Sequence, residues 1–156
     1  MNKLDQALSM AMQYCSRREC CVSEIIEKLS KWDVPEEIFD DVISSLIAER
    51  FIDEQRYAEA FVSEKFRING WGKIKISYEL RRKKIKEEII DKALCVIKPS
   101  EYSKTIESIL LKKLKVEKEQ EKLKVKNKLY RYLISRGFEI ESFAEMVDVL
   151  IKKHFK

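Results

Sequence analysis

Residues 80–97 read LRRKKIKEEIIDKALCVI, and the pattern recurs as LSKWDVPEEIFDDVISSLI at 29–47 and LISRGFEIESFAEMVDVLI at 133–151. With Leu29, Leu80 and Leu133 superimposed, each stretch has an apolar residue five positions on: Val34, Ile85 or Phe138. Four or five residues later comes Ile38, Ile89 or Phe143, followed by spaced aliphatics. The Leu-to-Leu separations are 51 and 53 residues. That period suits a three-helix unit repeated along the chain, each unit covering its neighbour's flank. The expected architecture is all-α: an elongated array of three tandem three-helix repeats, over residues 1–50, 51–98 and 99–156.

Composition agrees. Three Gly and two Pro in 156 residues leave little room for β-turns. Amphipathic period runs through most of the chain, as in Val22, Ile25, Ile26, Leu29 and Trp32. Pro35, Glu36 and Glu37 read as a first helical turn with Asp33 as its cap, and Asp53 starts a helix carrying Tyr57, Phe61 and Phe66. The Lys/Glu-rich stretch 112–128 reads as a solvated helix or helix end.

Charge is unevenly placed. Residues 1–50 hold 6 basic and 10 acidic groups, 51–98 hold 12 and 8, and 99–156 hold 14 and 9. The later two-thirds therefore favour an anionic partner. No apolar run is long enough to span a membrane, and MNKLDQ is not a signal peptide. Cys15, Cys20, Cys21 and Cys95 lack CxxC spacing and the single histidine is His154, so no metal site is expected. The cysteines read as buried reduced thiols of a cytoplasmic protein.

The repeat divides the helix after Gly72 into two faces. Ile25 and Leu29 correspond to Ile76 and Leu80, then to Leu129 and Leu133, so Ile76 and Leu80 belong to the core. Ile74 corresponds to Ser23 and Asn127, and Tyr78 to Glu27 and Arg131. At 100° per residue Ile74, Tyr78 and Arg81 lie opposite the core pair. The second unit is thus expected to expose an apolar stripe where its siblings are polar, with Trp71 at its start. Exposed aromatics beside arginine are enriched in binding hot spots.

NGWGKIK lacks the spacing and the hydroxyl of a phosphate-binding P-loop, and a helix rather than a strand precedes it. Asn69–Gly70 is expected to close that helix through a left-handed residue, with Gly72 starting the next. The amides at that helix start remain available to an anion in this reading. Arg67, Trp71, Lys73, Ile74, Lys75, Tyr78, Arg81, Arg82, Lys83 and Lys84 form the candidate partner-binding set. A stand-alone nucleic-acid module, with the cations on phosphates and Trp71 or Tyr78 on a base, is the alternative. No nucleophile–base pair stands out, so no catalytic residue is assigned and no enzyme is expected.

The stretch 51–85, FIDEQRYAEAFVSEKFRINGWGKIKISYELRRKKI, resembles the RecX family of bacterial regulatory proteins. Phe51, Asp53, Arg56, Tyr57, Ala58, Phe61 and Val62 match its opening, and Gly70 and Gly72 its Gly-x-Gly. Ile76, Glu79, Leu80, Arg81 and Ile85 match its basic helix end. Two positions depart from the pattern: Lys73 stands where the family usually has Pro, and Lys84 where it commonly has Gly. The second change places a lysine at a left-handed position, at a cost of about 1 kcal/mol.

The resemblance implies a non-enzymatic, cofactor-free regulator in DNA repair, homologous recombination and the SOS response. RecX proteins bind the RecA recombinase as its filament on single-stranded DNA. They restrain its ATPase, strand exchange and coprotease activities by lodging in the filament groove or blocking extension. A monomer is expected, with weak direct binding to single- or double-stranded DNA left open.

Overall fold

A computed structural model describes residues 2–156. Among them the regular structure is helical: α1 (Lys3–Cys15), α2 (Val22–Lys31), α3 (Phe39–Ala48), α4 (Glu54–Arg67), α5 (Lys73–Arg82), α6 (Glu87–Leu94), α7 (Pro99–Lys115), α8 (Lys122–Ser135) and α9 (Ile140–His154). A 3₁₀ turn, Glu36–Ile38, leads into α3.

The repeat register is visible in the backbone. Asp33, Lys84 and Gly137 each lie four residues past the superimposed leucine, and all three are left-handed, with φ of 58°, 63° and 93°. After each one the chain makes the same bond back across the helix end. Val34 donates its N–H to the Leu29 carbonyl (3.0 Å), Ile85 to Leu80 (3.1 Å) and Phe138 to Leu133 (3.0 Å). This is a Schellman closure, which satisfies a carbonyl that a helix end otherwise leaves bare. It stops α2, α5 and α8 in the same way and sets the direction of the helix that follows.

Lys84 therefore occupies the left-handed position the repeat assigns to it. Asp33 does not cap the next helix: its backbone forms the turn closing α2, and the segment after Pro35 is 3₁₀ before it becomes α-helical. The loop Val116–Glu121 separates α7 from α8, so 112–128 holds a helix end and a helix start. Asp53 does cap α4, its Oδ1 accepting from the Arg56 amide at 3.1 Å.

Cα packing divides the chain into two compact units. Unit 1 comprises Met1–Phe61 with Glu79–Ala93, and unit 2 comprises Val62–Tyr78 with Leu94–Lys156. In unit 1, α1, α2 and α3 pack on one another. Ala7, Ala11, Cys15, Cys20, Ile25, Leu29, Val42, Leu46 and Ile52 form their shared core. In unit 2, α9 packs on α7 and α8. Its buried side chains include Phe66, Ile106, Leu110, Leu129, Leu133, Phe138, Phe143 and Val147. Each such residue contributes roughly 1.5–3 kcal/mol of apolar transfer, so the core faces carry these helices.

The superimposed leucines and the residues four before them are all buried: Ile25, Leu29, Ile76, Leu80, Leu129 and Leu133. In the second repeat Ile90 is buried and Ile89 only partly so, a shift of one residue from the expected anchor. Cys15, Cys20 and Cys21 are buried, but Cys95 is exposed, contrary to the expectation for all four.

Candidate functional site

Gly70 closes α4 in the left-handed conformation (φ 69°), its amide donating to the Phe66 carbonyl at 3.1 Å and the next, of Trp71, to Lys65 at 2.9 Å. The first amides of α5 are not available to an anion. Gly72 N–H donates to the Arg136 carbonyl (2.7 Å) and Ile74 N–H to that of Gly137 (2.9 Å). Lys73 N–H donates to the Tyr102 hydroxyl at 3.0 Å. The C-terminal end of α8 thus plugs the N-terminal end of α5, all within unit 2. The expectation of open amides is overturned: the Arg136 and Gly137 carbonyls take the Gly72 and Ile74 donors, and the Tyr102 hydroxyl takes that of Lys73.

Two glycines make this approach feasible. A Cβ on Gly72 would stand 2.4 Å from the Gly137 carbonyl carbon and oxygen, and a Cβ on Gly137 would stand 2.4 Å from Lys75 Cβ. Tyr102 completes the junction. Its hydroxyl donates to the Glu139 carboxylate, and its ring lies between Phe66 (5.7 Å) and Phe138 (5.3 Å). Burial, and then the bond to Glu139, push its phenol well above the ordinary range. The Lys73 ammonium sits 4.9 Å over the same ring. A proline at 73 would have no N–H for Tyr102, so lysine here adds a tie that the common family residue cannot make.

The outer face of α5 emerges as the repeat predicts. Ile76 and Leu80 have no exposed surface, while Ile74 is 55% and Tyr78 58% exposed. The cations around them are unequal. Lys75 and Lys65 place their ammonium groups 4.5 and 5.1 Å from the Trp71 ring centre. Arg81 forms a bidentate pair with Glu87, whose carboxyl is held below its usual range by that guanidinium. Lys83 pairs with Glu24 at 3.1 Å, and Ser23 donates to the Lys83 carbonyl at 2.8 Å. Arg82 reaches Glu79 only at 3.4 Å, and Lys84 is exposed.

Within unit 1, residues 82–84 line a cleft of about 540 Å³ together with Glu24 and Glu27 of α2. Part of the basic run is thus balanced by α2. Arg67 is also committed: it donates to Glu101 at 2.8 and 3.0 Å, to the Ser63 hydroxyl at 2.6 Å and to the Val96 carbonyl at 3.3 Å. Sequence reasoning did not single out Tyr102, Arg136 or Glu139.

Among the described residues no His/Cys/Asp/Glu group could hold a metal ion, and no helix is long and apolar enough to cross a membrane. The class defined by this architecture is a tandem of three-helix domains.

Profiles described as the first, second and third three-helix domains of RecX match residues 7–46, 53–94 and 100–142. A Regulatory protein RecX of Clostridium acetobutylicum is 36% identical over 148 residues, covering 92% of this chain and 67% of that protein. One of Chlorobium phaeobacteroides is 33% identical, covering 94% and 95%. The chain spans 57% of a third relative, from Leuconostoc mesenteroides, at 27% identity. A crystal structure of regulatory protein RecX superimposes with a TM-score of 0.85 at 27% identity, covering 94% of this chain and 73% of that one. The chain belongs to the RecX family of regulatory proteins.

Proposed function

We propose that this protein is a negative regulator of the RecA recombinase. It binds the RecA filament on single-stranded DNA and restrains the filament's ATPase, strand exchange and coprotease activities. In this reading it acts as a cytoplasmic monomer without catalytic residues, and residues 1–50, 51–98 and 99–156 serve as three repeat units. Family membership supports the partner. The observation that carries the contact surface is the outer face of α5, where Ile74 and Tyr78 are exposed at positions that are polar in both sibling repeats.

Such a face suits a protein partner better than DNA alone. Its aliphatic and aromatic groups, Ile74 and Tyr78, supply apolar contact. The engagement of Arg67, Arg81 and Lys83 in internal ion pairs weighs against the stand-alone nucleic-acid reading of the same residues.

The test is RecA's DNA-dependent ATPase with and without the protein, alongside filament co-sedimentation. Inhibition by the wild type that Tyr78→Ala and Ile74→Ala relieve is the expected result. Unchanged ATPase together with no filament association would refute the assignment.

A further inference from the structure

Two thiols in unit 1 take no part in the face of α5. Cys15 is the last residue of α1, and Cys20 lies two residues before α2 begins. Residues 16–18 between them are exposed, yet both ends of the turn dip into the core. Cys15 is 7% and Cys20 0% exposed, and both belong to the cluster that holds Ala11, Ile25 and Leu46. Their side chains meet there, the Cys20 thiol donating to the Cys15 sulfur. The Arg18 carbonyl lies 3.8 Å from the Cys20 sulfur, inside the same turn.

The turn is clamped on both sides. Ser16 closes α1, its amide donating to the Met12 carbonyl at 2.9 Å and its hydroxyl to the Gln13 carbonyl at 2.8 Å. At the other end Arg56 grips Glu19 at 2.7 Å, and the Val22 amide donates to Glu54 at 3.0 Å. The fold thus holds the two sulfurs together. Cys21 is a poorer partner. Its sulfur lies 3.3 Å from the Ser23 hydroxyl and outside that cluster, and bonding it to its neighbour Cys20 would distort the peptide link between them. Cys95 is exposed in unit 2.

The pair is chemically unequal. The bond from Cys20 draws the Cys15 thiol below its ordinary pKa, against burial and the charges of Glu19 and Glu24. The same bond, and then burial, push the Cys20 thiol far above the ordinary range. Cys15 is therefore the better thiolate, and it is also the one with residual access to solvent. We propose that Cys15 and Cys20 are a dithiol modification site, which a small hydroperoxide oxidises to an internal disulfide. The Cys15 thiolate attacks one peroxide oxygen and the O–O bond breaks. Cys15 becomes a sulfenic acid, and the departing hydroxide takes up the proton that Cys15 had released. The Cys20 sulfur then displaces the sulfenic oxygen, which leaves with the Cys20 proton as a second water. Two electrons pass from the two thiols to one peroxide, giving one disulfide and two waters. A dithiol reductant reverses the change. The new bond ties the end of α1 to the entry of α2 and stiffens the first repeat.

The test treats the full chain with hydrogen peroxide, removes the excess with catalase and alkylates the denatured product with maleimide. The intact mass should fall by the two thiol hydrogens, with Cys21 and Cys95 still open to maleimide. Trypsin cuts after Arg17 and Arg18, between the two cysteines, so the bond appears as a cross-linked peptide pair. That pair should vanish in Cys15→Ala and Cys20→Ala and persist in Cys21→Ala. Cys20→Ala should instead leave a Cys15 sulfenic acid that dimedone traps. The oxidised wild type should melt about 5 °C above the reduced form, and dithiothreitol should abolish the difference.

An unchanged mass overturns the proposal, as does a bond through Cys21, through Cys95 or between two chains. An oxidised form that melts at or below the reduced one also overturns it, because sulfurs poised by the fold gain stability on joining. These wild-type readings decide the matter even where an alanine variant fails to fold. No recombinase is present, so the outcome is separate from that of the filament assay.

Discussion

Changing Gly72 to alanine is the most discriminating perturbation of the α8–α5 junction. The new Cβ would meet the Gly137 carbonyl at 2.4 Å and the Phe138 nitrogen at 2.5 Å, all backbone atoms that no rotamer change can move. Relief requires the two helix ends to part, which breaks the Gly72-to-Arg136 and Ile74-to-Gly137 bonds. Each bond contributes about 1 kcal/mol net, and backbone displacement in a packed site adds about 1–3 kcal/mol. The expected loss is about 3–5 kcal/mol. Gly70→Ala is the internal comparison. There the φ of 69° disfavours a side chain, but the nearest atom is the end of the Arg136 side chain at 3.2 Å, so about 1 kcal/mol is expected. Urea and thermal unfolding followed by far-UV circular dichroism measure both. At 2–4 °C per kcal/mol for a chain of this size, Gly72→Ala should melt about 10 °C below the wild type, and Gly70→Ala only a few degrees below. Equal losses, or a smaller loss for Gly72→Ala, would show that the carbonyl plug is not what holds the start of α5.

Lys84→Gly removes a side chain from a left-handed position and should stabilise the protein by about 1 kcal/mol in the same unfolding assay. Ile74→Ala and Tyr78→Ala should leave helical content and melting temperature near wild type while weakening filament association; unfolding of either would mean that the outer face is core. The acid limb of stability is set in part by Glu87, Glu101 and Glu117. Their carboxyls are held below the ordinary value of 4.5 by Arg81, Arg67 and Lys128. Their contribution is present above pH 4.5 and declines as pH falls below it, so Glu101→Gln should flatten the acid limb of a pH–stability profile. On the alkaline side the Tyr102 phenol is raised by burial and by its bond to Glu139. The unfolded chain then ionises first, stability falls as pH climbs past 10, and Tyr102→Phe should reduce that fall while lowering stability at neutral pH.

The repeat was legible because it is written in features that recur locally. Leu29, Leu80 and Leu133 mark buried helix ends, and the left-handed conformation was legible at Lys84, where lysine stands in place of glycine, but not at Asp33. The outer face of α5 was legible for a related reason: a helix with known core positions has a known opposite side. The environment of the candidate set was less so. That Arg67 is clamped to Glu101, or Lys83 to Glu24, depends on which helices meet, and spacing along one helix carries no such information. Tyr102 and Arg136 escaped notice because each is unremarkable within its own amphipathic stripe. They acquire meaning only where α7 and α8 reach α5. Asp33 misled because an acidic residue before a proline reads as a cap, whereas the preceding helix needed its backbone for its own closure.

The meeting of α8 with α5 also has an electrostatic consequence. A helix carries partial positive charge at its amino end and partial negative charge at its carboxyl end. Here the carbonyls of Arg136 and Gly137 lie against the amides of Gly72 and Ile74, so the two macrodipole ends largely quench each other inside unit 2. An anion approaching the Gly-x-Gly turn meets little backbone field. Whatever attraction it feels comes from lysine and arginine side chains, which salt can screen and single substitutions can subtract one at a time.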